Sequence, residues 1–155
     1  MPVRFHLLVP IAVLAVGCSQ PGVVVTDTRV DLGPRWLRLT PKEPLEAPGP
    51  RDELCLHVDK MYSLESTTPF PPEVHGVRAP DGTWIMVRAV MVTPAGRRDE
   101  LPQNGYTFSG WQAICFAKPS AVDSQRVYSS VELWASHSLS VDEVTWDSGE
   151  RRPFL

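Results

Sequence analysis

His57 and Asp59 stand two residues apart in the stretch Leu54-Cys55-Leu56-His57-Val58-Asp59. Residues i and i+2 of a strand share a face, so an imidazole here can sit beside a carboxylate that orients it, as a general base requires. The same spacing equally suits a solvated strand face. His75 and His137 fall at strand or turn positions, and a small hydrolase would have to gather them with His57, Asp59 and Glu65 in one pocket. The chain carries no GxSxG nucleophile elbow, no HExxH zinc helix and no phosphate-binding glycine loop. The expectation is therefore a non-catalytic protein without cofactor or metal. A hydrolase built on His57 and Asp59, and a carrier with a ligand cavity between two sheets, are the alternatives.

Binding chemistry is better represented. The chain holds five tryptophans, Trp36, Trp84, Trp111, Trp134 and Trp146. Exposed Trp and Tyr dominate many interfaces, and buried ones fill β cores. Val127, Ser129, Val131, Leu133 and Ala135 alternate with Tyr128, Ser130, Glu132 and Trp134, so the second set is either a buried layer or a surface patch. Pro69-Phe70-Pro71-Pro72 is a stiff, extended segment that loses little entropy on binding and offers Phe70 to a partner. Phe70, Trp84, Tyr128 and Trp134 are the candidate partner-binding residues.

The first 17 residues have one charge, Arg4, followed by the apolar run Leu7-Leu8-Val9-Pro10-Ile11-Ala12-Val13-Leu14-Ala15-Val16-Gly17. Eleven residues fall short of the roughly 20 needed to span a bilayer as a helix, and the pattern is that of a secretory signal peptide. Ala15-Val16-Gly17-Cys18 resembles the lipobox of bacterial lipoproteins. The resemblance implies cleavage before Cys18, acylation of its thiol (palmitate among the acyl chains) and of the new amino terminus, and a lipid bilayer as the first partner. Several acyl chains, at about 0.8 kcal/mol per buried methylene, give stable residence in a membrane. Ser19 in place of Asp points to the periplasmic face of the outer membrane rather than the inner membrane. With Cys18 given to lipid, Cys55 and Cys115 remain, and an even count in an exported chain reads as a disulfide. A metal site is the competing reading, though no CxxC or HxxxH spacing accompanies the pair.

The elements that would position these residues are short. Sixteen prolines in 155 residues, about twice the usual ~5%, exclude long helices and favour loops between strands. Leu54, Leu56 and Val58 alternate as one strand face. Pro80-Asp81-Gly82 is a hairpin turn between residues 74–79 and 83–93. The second arm, apolar on both faces apart from Arg88, suits a central strand. Asn104-Gly105 is a strong hairpin signal. Seven or eight such strands with one disulfide give an all-β, single antiparallel β-sandwich of immunoglobulin-like architecture. It is no true immunoglobulin domain: Ala113 stands where the tyrosine two before the second cysteine is expected, and Trp84 lies too far beyond Cys55.

The expected organisation is a signal peptide over 1–17, an acylated tether with one or two early strands over 18–51, the sandwich over 52–149 and a tail over 150–155. The chain is formally at −3, and loss of Arg4 with the signal takes it to −4, which gives no electrostatic case for nucleic acid. Together these features lead to a lipid-anchored binding or accessory module whose partner is another envelope protein. An inhibitor or immunity protein is one version of that expectation, by analogy of architecture and location alone.

Overall fold

Alternation of apolar and polar residues over short segments, punctuated by Pro and Gly, produces strands wherever one face can be buried. The computed structural model describes residues 23–47, 52–66, 75–107, 112–118 and 126–147. Along them run β1 (Val23–Thr26), β2 (Val30–Leu32), β3 (Leu37–Leu39), β4 (Leu45–Glu46), β5 (Glu53–Val58), β6 (Ser63–Ser66) and β7 (His75–Arg78). They are followed by β8 (Trp84–Val92), β9 (Arg98–Glu100), β10 (Gln103–Thr107), β11 (Ala113–Ala117), β12 (Val127–Tyr128), β13 (Ser130–Ala135) and β14 (Leu139–Asp147). No helix occurs among the described residues.

One sheet has the order β1-β14-β5-β11-β10, with β2 also on β14; the other has the order β3-β13-β8-β7-β6, with β9 also on β8. Every pairing is antiparallel. The inner faces meet in one apolar core. Leu54, Leu56, Ile114, Phe116, Val144 and Trp146 come from the first sheet, and Ile85, Val87, Ala89, Met91, Val131 and Leu133 from the second. Each large side chain so buried contributes about 1.5–3 kcal/mol. The protein is an all-β antiparallel sandwich.

Cys55 lies directly opposite Cys115 in the β5–β11 register, and the two form a disulfide with a Cα separation of 4.1 Å. The bond ties neighbouring strands of one sheet. Its cysteines form a small buried group with Ala113, apart from the main core. An immunoglobulin disulfide spans two sheets instead.

Three expectations need correction. β1 to β4 all belong to the sheets or to the β4–β12 pair, so 23–47 is part of the folded unit rather than a tether with one or two strands. Asn104-Gly105 makes no hairpin: it lies inside β10, where the register on β11 shifts between Gln103 and Gly105. The chain there passes from β9, on the second sheet, to β10, on the first, and an irregular step serves that crossing better than a reversal. Finally, the alternation around Trp134 does not extend back to Tyr128. Ser129 interrupts the strand, β12 pairs with β4 while β13 pairs with β8, and Tyr128 turns inward, fully buried. The Pro80-Asp81-Gly82 turn forms as expected, closed by Ala79 N–H donating to Thr83 O at 2.9 Å, with Gly82 at φ 88°. That left-handed conformation is one glycine adopts at no steric cost.

Candidate functional site

β8 places Ile85, Val87, Ala89 and Met91 in the core, which leaves Trp84, Met86 and Arg88 on the outer face of the second sheet. β13 does the same with Glu132 and Trp134, and β3 with Arg38. Register then brings these side chains together: Trp134 opposes Arg88, and Glu132 opposes Arg38 on one side and Val90 on the other. Trp36, immediately before β3, lies with its ring 6.5 Å from that of Trp134, tilted by 39°. The guanidinium carbons of Arg88 and Arg98 stand 5.4 and 5.7 Å from the Trp36 ring. Such cation–π contacts contribute about 0.5–1 kcal/mol each where exposed.

The charges of this face are layered. Glu132 is buried, with 7% of its side chain exposed. Its Oε1 accepts from Arg38 Nε at 3.0 Å, and its Oε2 pairs with Arg98 Nη1. Arg88 Nε donates to Glu100 Oε1 at 2.8 Å. The guanidinium side chains of Arg38, Arg88 and Arg98 are each about half exposed. The central carboxylate is thus sunk beneath arginines that reach solvent. The buried carboxylate and the indole hold those arginines in place, so they lose less freedom on meeting a ligand.

Beside Arg88 the sheet has a gap. β13 runs along one edge of β8, while the other edge is shared by β7 at residues 84–86 and β9 at 90–92. Between them, Gln103 Nε2 donates to Val87 O at 3.2 Å and Leu101 N–H donates to Ala89 O at 3.0 Å. A cleft of about 220 Å³ opens here. Met86, Val87, Leu101 and Phe116 supply its apolar wall, and Arg88, Glu100 and Gln103 its polar groups.

Of the residues singled out by sequence, Trp134 belongs to this face. Trp84 is on the same sheet but is held against its neighbours: its indole fills the space over Gly76, where a Cβ would overlap it, and Arg78 stacks on it at 5.5 Å. Tyr128 is corrected from partner contact to core, edge-on to Trp146 at 6.4 Å. Phe70, Trp111 and Cys18 lie outside the described residues. Trp36, Arg88 and Arg98 are not among the candidates the sequence offers; an indole beside a short alternating segment and a lone arginine in an apolar strand signal the first two, while Arg98, within Arg97-Arg98-Asp99-Glu100, reads only as part of a solvated charged run.

Among the described residues, His57 and Asp59 take separate partners. His57 Nε2 contacts Thr145 Oγ1 at 3.2 Å. Asp59 accepts from Met61 N–H at 2.9 Å and faces Arg29 at 3.7 Å. His137 Nδ1 contacts Ser136 Oγ in the turn after β13. The side chains of Glu65 and His75 lie outside the description. The only cluster of metal-ligand types among the described residues, Glu53 with Cys55 and Cys115, has its sulfurs joined to each other.

No family model matches the chain, and no curated protein or solved structure emerges as a relative.

A second polar cluster lies deeper. Asp99 alternates inward on β9 between exposed Arg98 and Glu100. Its Oδ2 accepts from Arg126 Nη1 at 2.9 Å and from Tyr128 Oη at 3.0 Å, and its Oδ1 accepts from Arg97 Nε at 3.0 Å. Burial pushes its pKa up, but hydrogen bonds from Arg126, Arg97 and Tyr128 outweigh this and hold it below the usual carboxylate range. Burial, together with the bond to Asp99, pushes the Tyr128 phenol well up. With every carboxylate oxygen engaged, the cluster fastens β9 to β12 and offers no free base.

Proposed function

We propose that the chain is an envelope lipoprotein acylated at Cys18, whose sandwich is a non-catalytic binding module for another envelope protein. The observation carrying the binding reading is the outer face of the second sheet. There Trp36 and Met86 are 40% and 45% exposed, beside Trp134 and three ordered arginines. Exposed indole and guanidinium on a rigid surface are the residue types that concentrate binding energy. The early start of the fold shapes the anchoring: Val23 already pairs with Trp146, and the five steps from Cys18 to Val23 reach about 17 Å at most. An acylated Cys18 therefore holds the domain close to the bilayer, and its partner is one found near that surface.

The test is photo-crosslinking in intact envelopes, with a photoreactive amino acid in place of Met86 on the outer face of the second sheet. The control has it in place of Val24, exposed on β1 of the first sheet. The reading expects one discrete protein adduct from position 86 and not from position 24, lost in the Cys18→Ser chain. Equal labelling from both positions, or no protein adduct at position 86, overturns it.

A further inference from the structure

The arginines of the outer face are only partly used. Arg98 spends Nη1 on Glu132, Arg38 spends Nε and Nη2 there, and Arg88 spends Nε and Nη2 on Glu100. Among the described residues this leaves Nε and Nη2 of Arg98, the side-on edge of a guanidinium, without a protein acceptor. That edge is the one that takes a carboxylate through two parallel hydrogen bonds. Counting Arg38, Arg88 and Arg98 against Glu100 and Glu132 leaves the face one positive charge in excess, in a chain of net −3. The excess lies outermost, because Glu132 is the buried member. The adjoining cleft, at about 220 Å³, is smaller than the ~300–1,000 Å³ that hold drug-sized ligands. It suits a single large apolar side chain, and Arg88 belongs both to its lining and to the stack on Trp36.

We propose that this face receives an acidic segment of a protein partner: one carboxylate bound by Arg98 beside Trp36, and an apolar side chain farther along the segment, beyond Arg88, in the cleft at Met86 and Leu101. The proposal rests on the binding-module reading and names the chemistry of its partner. A protein segment is favoured over a lipid surface because the site couples one anion position to one bounded apolar cleft.

The test uses the oxidised chain from residue 18 carrying Cys18→Ser, which has no acyl chains to insert into vesicles and needs no detergent, and fluorescent peptides of fixed sequence. The first is Glu-Leu-Asp-Phe-Glu. The second replaces its acids by Gln and Asn, and the third replaces Leu and Phe by Ala. Vesicles with 30% anionic phospholipid and inorganic phosphate serve as the competing anion sources. The expected result is that the first peptide binds at least ten-fold more tightly than either of the others and quenches tryptophan emission. Arg98→Ala should weaken it about ten-fold, and Arg98→Lys, which keeps the charge but not the fork, should weaken it by a smaller factor. A single cooperative thermal transition in both variants, lowered less than in the Arg38→Ala/Arg98→Ala chain, shows that the fold is intact, since Arg38 still pairs with Glu132 in each. Equal affinity for the acidic and amide peptides, no effect of Arg98→Ala, or binding of vesicles or phosphate in place of the peptide overturns the proposal. If a protein adduct from position 86 persists through that outcome, the binding-module reading stands while the acidic segment falls.

Discussion

The Tyr128 phenol donates a hydrogen bond of 3.0 Å to Asp99 Oδ2, joining a core ring to a strand whose neighbouring side chains are exposed. A hydrogen bond to a charged group contributes about 1.5–3 kcal/mol, so Tyr128→Phe should lower stability by roughly that amount, read as a shift in urea midpoint at unchanged slope. The pH dependence follows from the two shifts. Asp99 titrates lower in the folded state, so its contribution is present above the unfolded value of about 3.9 and is lost as pH falls toward the folded value. Tyr128 titrates higher when folded, so stability falls as pH rises above about 10, where the unfolded phenol ionises. Urea midpoints across pH 2.5–11 should show both limbs. Asp99→Asn should flatten the acid limb and Tyr128→Phe the alkaline one; unchanged limbs would refute the assignment.

Reduction of Cys55–Cys115 releases a loop of 60 residues. In the chain-entropy account this costs about 4 kcal/mol. Because the bond joins strands already paired in the middle of the first sheet, the reduced chain should keep its β circular dichroism at low denaturant and unfold at a much lower urea concentration. The Cys55→Ala/Cys115→Ala chain should match the reduced protein within about 1 kcal/mol. A midpoint insensitive to reductant would contradict this.

Gly76 and Trp84 form a fitted pair across β7 and β8. A methyl group at position 76 would collide with the indole and with the Ile85 carbonyl oxygen. Overpacking of this kind costs typically 1–3 kcal/mol, so Gly76→Ala should be destabilising although it replaces a glycine in a strand. Trp84→Ala should relieve the indole part of the clash. A double-mutant cycle on thermal unfolding should therefore give a coupling above about 0.5 kcal/mol, and strict additivity would refute the contact.

Parts of this architecture are legible in the sequence because they depend on local pattern. Leu54, Leu56 and Val58 face the core as their alternation requires, and β8, apolar on both faces, is flanked on both edges within its sheet. What is not legible depends on pairing between distant segments. Tyr128 and Trp134 have the same parity, yet Ser129 separates strands with different partners. Asp99 sits in Arg97-Arg98-Asp99-Glu100, a charged run that reads as solvated, and only the approach of Arg126 and Tyr128 makes its burial tolerable. The candidate face likewise combines Trp36 and Arg38 with residues 88, 98, 132 and 134, a set no local spacing announces.

Glu132 tests whether the arginine face is organised from beneath. Its carboxylate is buried, while its partners Arg38 and Arg98 are about half exposed. Removing the carboxylate leaves two cations that water can solvate, whereas removing both cations strands a buried anion. Breaking a buried pair is strongly destabilising, by about 3–5 kcal/mol, when the charge left behind is the buried one. Glu132→Gln should thus cost clearly less than the Arg38→Ala/Arg98→Ala double variant, and each single arginine variant less than the double. Glu132→Gln should also loosen the guanidiniums around Trp36, seen as a change in tryptophan emission and a more salt-sensitive stability, since the remaining cations repel each other through solvent. If the glutamine variant proves the more damaging, the carboxylate is not held in place by Arg38 and Arg98 in the way its geometry implies.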